Sequence, residues 1–208
     1  MGDSDDGNRY KSPVLLEKLV KTSFTGLKAG LIMIKRSYIH YAEMNSPIGT
    51  LTIGKSGKGI CFIEFGSLAD TRANIEAWLK RRLMNVDFQK NEQELKPALQ
   101  QLQQYFQGER AAFDLPLDLI GTKFQTLVWN KIREIPYGQT KSYKNIAMEI
   151  GAPKAVRAIG GANNQNPIPI IIPCHRVIGS NGSMVGYGGG LDKKEYLLRL
   201  EGAIQKIS

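Results

Sequence analysis

The most reactive side chains in this chain of 208 residues stand next to each other: Cys174 and His175, inside Pro173-Cys174-His175-Arg176-Val177. A thiol becomes a useful nucleophile only when its surroundings lower its pKa or a neighbour removes its proton. An adjacent imidazole can do this directly or through one water. The chain holds two cysteines and two histidines in all, so one of each side by side narrows the chemistry. The competing reading is plain: a buried Cys is usually an inert small hydrophobe and a lone His a satisfied core residue. The dipeptide alone does not decide, because a nucleophile and its base are neighbours in space rather than in sequence.

The flanks add three features. Upstream, Asn166 can bond to backbone in a turn, and Pro167 and Pro169 restrict the apolar run through Ile172 that delivers the cysteine. Downstream, Gly186-Tyr187-Gly188-Gly189-Gly190 is a small-residue loop with one aromatic, suited to lining a pocket for a flat ligand. Later, Glu201 follows a helical pattern over Lys193 to Leu200 and could return its carboxylate to His175. A Cys-water-His-Glu relay is then chemically accessible, the carboxylate fixing the imidazole and the imidazole taking the thiol proton. Singly, each has an ordinary explanation: a solvated helix-end acid, a packing tyrosine, a surface loop.

Positioning these groups requires a folded frame, and 208 residues suffice for one large domain or two small ones. Residues 1–36 read as an extension of undefined role. From Tyr38 to Phe65, three short β-type runs separated by Asn45–Gly49 and Gly54–Gly59 turn signals predict an antiparallel meander. Helical periods follow at about Leu68 to Leu83 and Glu92 to Phe106. The alternation from Phe113 to Leu119 fits a last strand or an extended linker. The expected architecture is α/β: an antiparallel sheet-plus-helix domain over 37–115 and a mainly helical, winged-helix-like domain over 116–208.

Within the second half, Phe124, Leu127, Val128 and Ile132 mark one amphipathic helix, and Ser142 can cap another ending at Gly151. Pro153 suits the first turn of a third, running to about Asn164. Two short helices about a glycine turn have the form of a helix-turn-helix or of an ordinary helical hairpin. The third helix favours the first form, because Lys154, Arg157, Gly160, Gly161 and Ala162 combine basic groups with small residues that let a backbone approach another surface. Glycine inside a helix costs up to about 1 kcal/mol relative to alanine, so close contact with a nucleic-acid groove or tight packing must offset it.

Lys and Arg outnumber Asp and Glu by 28 to 19, a net charge of +9, which favours a polyanionic partner, nucleic acid first. The excess is concentrated after Pro116, with 12 basic and 6 acidic residues against 16 and 13 before it. Two cysteines without a CxxC pair or a His-rich cluster offer no metal site and no cofactor, and point to a reducing, cytoplasmic setting. No apolar run approaches bilayer length, and no membrane association is expected.

Taken together, Ile172-Pro173-Cys174-His175-Arg176-Val177, with Asn166-Pro167-Ile168-Pro169 before it and Tyr187-Gly188-Gly189-Gly190-Leu191 after it, resembles the active-site region of the O6-alkylguanine-DNA alkyltransferases, the methylated-DNA–protein-cysteine methyltransferases. The likeness extends through Phe124 to Trp129, Ile135 to Thr140, Ser142-Tyr143, Lys154 to Gly161 and Leu200-Glu201-Gly202, covering essentially residues 116–203. Residues 38–115 fit that family's variable first domain in length and pattern only. The resemblance implies a DNA-repair protein used once, whose cysteine takes an alkyl group from O6 of guanine, with O4 of thymine a further candidate. By motif, Cys174 is the acceptor, His175 the water-mediated base, Glu201 its orienting partner, and Asn166 the brace of the turn. Tyr143 helps rotate the nucleotide and protonate or polarise guanine, and Arg157 fills the gap left in the stack. Backbone at Cys174, Val177 and Gly188 reads the base, and Tyr187, with the Gly188-Gly189 loop, lines the alkyl pocket. Lys154 and Gly160 join Tyr143 and Arg157 at the DNA. The implied partner is double-stranded DNA carrying O6-alkylguanine, met by a monomer. Gly188 departs from relatives with serine there, which lose no backbone N–H by the change but do supply a hydroxyl. The alternative functions are a non-catalytic protein that recognises alkylated DNA or regulates transcription, and a cysteine hydrolase turning over esters or amides, for which the sequence shows no oxyanion-hole signature beyond the glycine loop.

Overall fold

The computed structural model describes residues 37–82 and 86–204; the expected extension over 1–36 lies outside them. Strands β1 (Ser37–Ser46), β2 (Gly49–Ser56) and β3 (Gly59–Phe65) form the expected antiparallel meander. A fourth strand, β4 (Val86–Lys90), joins β1 in parallel, giving the order β3-β2-β1-β4 and a mixed rather than purely antiparallel sheet. The parallel pairing follows from the crossover helix α1 (Leu68–Lys80), which carries the chain back across the sheet before β4 begins.

Both helices of this half start on residues that bond the exposed first-turn amides. Ser67 and Asp70 make a reciprocal capping box for α1, and Asn91 caps α2 (Glu92–Phe106). Helix α1 buries Leu68, Ile75 and Leu79 with Ile39, Cys61 and Phe62, whereas α2 buries Leu95, Ala98, Leu102 and Tyr105 with Ala42, Leu51, Ile53 and Ile63. These two sets lie on opposite faces of β1 to β3, the register shift between Gly54 and Lys55 placing the adjacent Cys61 and Phe62 in one set, so the helices cover opposite faces.

The outer edge of β3 is not open. Ile60 N–H donates to Pro116 O at 2.8 Å, Asp118 N–H to Ile60 O at 2.8 Å, and Ile63 N–H to Pro167 O at 2.8 Å. The alternating run before 120 is therefore extended chain laid on the sheet, and the apolar run before Cys174 is fastened to the same strand. Gly59 permits this approach, since a Cβ there would stand 2.3 Å from Pro116 O.

The second half is helical, as its periodicity predicts. Helix α3 (Lys123–Arg133) opens on a Thr122–Gln125 capping box, and α4 (Tyr143–Glu149) on a Ser142–Asn145 box. Helix α5 spans Val156–Asn164; Pro153 and Lys154 occupy the preceding turn rather than its first helical turn, a start later than the sequence reading placed it. Trp129 Nε1–H donates to Ala162 O at 2.8 Å and locks α3 to α5. A two-residue parallel ladder joins β5 (Lys141–Ser142) to β6 (Val177–Ile178), and α6 (Leu191–Leu200) closes the fold. Helices α4 and α5, turned at Gly151 with φ +71°, make the helix-turn-helix. One core cluster runs from Ala42 and Leu51 through Trp129 to Cys174 and Leu197. Among the described residues no helix is long and apolar enough to cross a membrane.

Candidate active site

Cys174 opens a short 3-10 turn, Cys174–Arg176, that ends the run fastened to β3. Asn166 shapes that run. Its Oδ1 accepts from Ile168 N–H at 3.0 Å, and its Nδ2 donates to Ile172 O at 2.9 Å and to Cys174 Sγ at 3.0 Å. Between them Ile170 holds φ +75°, the one left-handed non-glycine among the described residues. A β-branched residue avoids that region, and it is retained here by a buried side chain and by the Ile172 N–H to Ile168 O bond at 2.9 Å.

The thiol is buried at 4 % exposure, and burial pushes it up to about 11, against the smaller opposing effects of Asn166 and Lys194. At neutral pH the resting thiol is protonated, so thiolate chemistry here would need a base. His175 has the geometry of one. Its Nε2 lies 2.8 Å from Glu201 Oε1, and its Nδ1 is buried with no partner among the described residues. Burial pushes the imidazole below its ordinary value, so it rests neutral. With Nε2–H donated to the carboxylate, Nδ1 keeps the lone pair that a proton would enter.

Glu201 is held as a carboxylate by more than its histidine. Arg176 Nε donates to Oε2 at 2.8 Å and Nη2 to Oε1 at 2.9 Å; Tyr105 OH donates to Oε1 at 2.6 Å and Gly138 N–H to Oε2 at 3.3 Å. Burial alone would raise this carboxyl, but the bonds from His175 and Arg176 outweigh it and hold it at about 2. Arg176 is fixed in turn by donating Nη1 to Ile135 O at 2.5 Å.

Lys194 is buried on α6, in the stripe with Leu197 and Leu198. It donates to Val177 O at 2.6 Å, Val185 O at 2.9 Å and Gly186 O at 3.4 Å, tying the segment after Cys174 to the start of the glycine loop. Burial lowers it to about 8. Val177 thus already spends one carbonyl lone pair, and its N–H donates to Cys174 O.

A cavity of about 230 Å³ opens beside the thiol, lined by Cys174, Asn163, Asn166, Tyr187, Gly188 and Gly189 and, from β3, by Ile63, Glu64 and Phe65. Asn163 Oδ1 and Tyr187 OH are buried there without partners among the described residues, and burial keeps the Tyr187 phenol protonated far above its ordinary value. Phe65 stacks at 5.8 Å on Tyr187, and a Cβ at Gly189 would stand 2.7 Å from the Phe65 ring, whereas one at Gly188 would meet only Asn164 O at 4.0 Å. Tyr143 stands at the start of α4, with its OH donating to Val185 O at 3.3 Å and accepting from Asn163 Nδ2 at 3.4 Å. Arg157 and Lys154 are exposed at the α5 end of the helix-turn-helix, and a Cβ on Gly160 would approach only Tyr143, at 4.0 Å.

The structure brings Cys174, His175, Asn166, Glu201, Tyr187 and the glycines together and sets Tyr143 alongside; Arg157 and Lys154 lie on the surface of the same helical unit. Sequence reasoning missed Tyr105, Arg176, Lys194, Asn163, Glu64 and Phe65. Two of these left a signal: Arg176 stands inside the cysteine motif, and Lys194 interrupts an apolar helical stripe three residues before Leu197. Among the described residues no group of three or more His, Cys, Asp or Glu is arranged to hold a metal ion.

Comparison with known proteins places this geometry in context. Residues 39–119 match the ribonuclease-like domain of 6-O-methylguanine DNA methyltransferase and residues 123–203 its DNA binding domain. The methylated-DNA–protein-cysteine methyltransferase of Methanosarcina acetivorans is 45% identical over 165 residues, 79% of this chain and 99% of that protein. The inducible one of Bacillus subtilis is 44% identical over 149 residues, 72% of this chain and 82% of that protein. The crystal structure of Mycobacterium tuberculosis OGT in complex with DNA matches with a TM-score of 0.64 at 42% identity, covering 79% of this chain and 93% of that one. With both of the family's domains matched in order and relatives at this identity aligned over nearly their full length, the chain belongs to the methylated-DNA–protein-cysteine methyltransferases.

Proposed function

We propose that Cys174 is the alkyl acceptor and O6-alkylguanine in double-stranded DNA the substrate. As a methylated-DNA–protein-cysteine S-methyltransferase the protein repairs DNA by direct alkyl transfer. In the transfer the Sγ–carbon bond forms as the carbon–O6 bond breaks. The thiol proton passes through one water to His175 Nδ1 and on to solvent, and the departing guanine takes one proton from the Tyr143 hydroxyl, which solvent restores, to end neutral. The observation that carries the assignment is the buried Nδ1 of His175, the residue following Cys174, which has no partner among the described residues while Nε2 is already committed to a fixed carboxylate. No route regenerates the thiol from the resulting thioether, so each molecule acts once.

A base inside a duplex cannot reach a buried sulfur, so the nucleotide is flipped, at a cost of a few kcal/mol that is least for a weakly paired lesion. Exposed Arg157 and Lys154 contact the DNA, Arg157 taking the place of the extruded base, while the small surface at Gly160 and Gly161 lets α5 approach the minor groove. Tyr143 turns the nucleotide into the cavity, where Tyr187 and the Gly188-Gly189 segment face the alkyl group. Residues 116–208 carry the DNA contact and the acceptor, and 37–115 brace them. The protein works as a monomer in the cytoplasm, where Cys61 and Cys174, both free thiols, stay reduced.

Intact-protein mass spectrometry after mixing with a duplex holding one O6-methylguanine tests this. One added methyl per molecule, lost in Cys174→Ala with DNA binding kept, is the expected result. Binding with no mass change in the native protein would favour lesion recognition without transfer.

A further inference from the structure

The reactive cavity is not built by the second half of the chain alone. Strand β3 contributes Ile63, Glu64 and Phe65 to the wall shared with Cys174. Of the residues that line the cavity, Glu64 is the one with a carboxyl group; the remainder are apolar, amide-bearing, glycine, or a protonated thiol and phenol. Glu64 is half-buried, and its side chain has no hydrogen bond or ion pair among the described residues. On its other side it lines a second cavity of about 440 Å³, together with Asn164 and Asn166, which border both spaces. Arg81 and Arg82 also face that second space, but Arg82 is committed to Ile120 O at 3.1 Å and Trp78 O at 3.2 Å, and neither arginine pairs with Glu64.

We propose that Glu64 is a specificity-determining residue that selects alkyl adducts by charge, admitting neutral groups and opposing anionic ones. An adduct on O6 that reaches past the thiol enters a space lined by one carboxyl group and no cationic side chain, with Lys193 Nζ 6.0 Å over the Phe65 ring and Lys194 acting on the thiol from outside that lining. A carboxylate carried by the adduct then meets the unpaired Glu64 carboxylate at a half-buried position, where repulsion is screened less than in bulk solvent. Burial raises the Glu64 carboxyl above its ordinary value, in keeping with a group that has no cation beside it. A neutral adduct of the same length meets no such opposition, and methyl is too short to register it.

The inference rests on alkyl transfer to Cys174, and its test separates the two. Single-turnover transfer rates are measured at about pH 8, where free carboxylates are ionised, from duplexes carrying O6-methyl-, O6-(2-hydroxyethyl)- and O6-carboxymethylguanine. Hydroxyethyl matches carboxymethyl in length without its charge. Glu64→Gln is expected to raise the carboxymethyl rate about tenfold while the other two stay within about twofold, and Glu64→Lys to raise it further. Parallel changes in all three rates, or no change in any, would overturn the proposal, the first marking a structural role and the second none. Absence of transfer from O6-methylguanine by the native protein would instead sink the reading on which it rests.

Discussion

At the scale of single residues, Glu201 shows how a buried charge is made tolerable. Taking a carboxylate out of water is costly unless it is paired and bonded, and here His175, Arg176, Tyr105 and Gly138 supply donors to both oxygens. Its unfolded carboxyl titrates near 4.5 and its folded one near 2. The contribution to stability is therefore complete above about pH 4.5 and is lost as the pH falls toward 2, where the unfolded chain has taken up a proton the folded one refuses. Glu201→Gln leaves Arg176 buried without its counter-charge and is expected to cost about 3–5 kcal/mol at pH 7. Urea melts of both proteins at pH 7 and pH 3 check this, with the gap narrowing at pH 3. Cys174, His175 and Asn166 were legible in the sequence because they lie within ten positions of one another, where turn chemistry fixes geometry. Tyr105 was not, since 96 residues separate it from Glu201 and only the fold brings its hydroxyl to the carboxylate.

At the scale of elements, the glycine loop and β3 act on each other through one contact, the Phe65 ring against Gly189 and Tyr187. Gly189→Ala would force a Cβ into that ring and is expected to destabilise by about 1–3 kcal/mol, and to slow transfer by moving Tyr187 while leaving DNA affinity unchanged. Gly188→Ser points into open space and should stay within about 0.5 kcal/mol of the native protein. Thermal melts, transfer rates and DNA titrations of the two variants distinguish adjacent glycines that look alike in the sequence. Helices were the easiest elements to read, because Leu95, Ala98, Leu102 and Tyr105 keep a clean helical period and Ser142 announces one start. Strand β4 escaped notice, since Val86–Lys90 is a five-residue edge strand with two polar residues at its end and none of its side chains fully buried. The late start of α5 was hidden because Pro153 suits a turn as well as a first helical position.

At the scale of the whole molecule, Cys174 sits in a core cluster that draws side chains from the sheet, from α2 and from α3 to α6. A group added to its sulfur therefore presses on packing that both halves share. Stoichiometric alkylation is expected to lower stability by about 1–3 kcal/mol, with a benzyl group costing more than a methyl; scanning calorimetry before and after transfer measures it, and an unchanged melting temperature would show that the 230 Å³ cavity absorbs the adduct. The α/β class and the helix-turn-helix could be read from patterning. What patterning could not reveal is that the two halves meet through backbone, because a hydrogen bond between Ile63 and Pro167 leaves no trace in side-chain type. That seam also governs solubility. An edge strand with free amides and carbonyls invites another copy of the same chain to pair with it, and β3 avoids this because residues 116–118 and Pro167 already occupy its bonding positions. The segment that presents the proposed acceptor Cys174 thus doubles as the guard of the sheet, and a mutation that loosens it would endanger the protein by self-association as well as by lost repair.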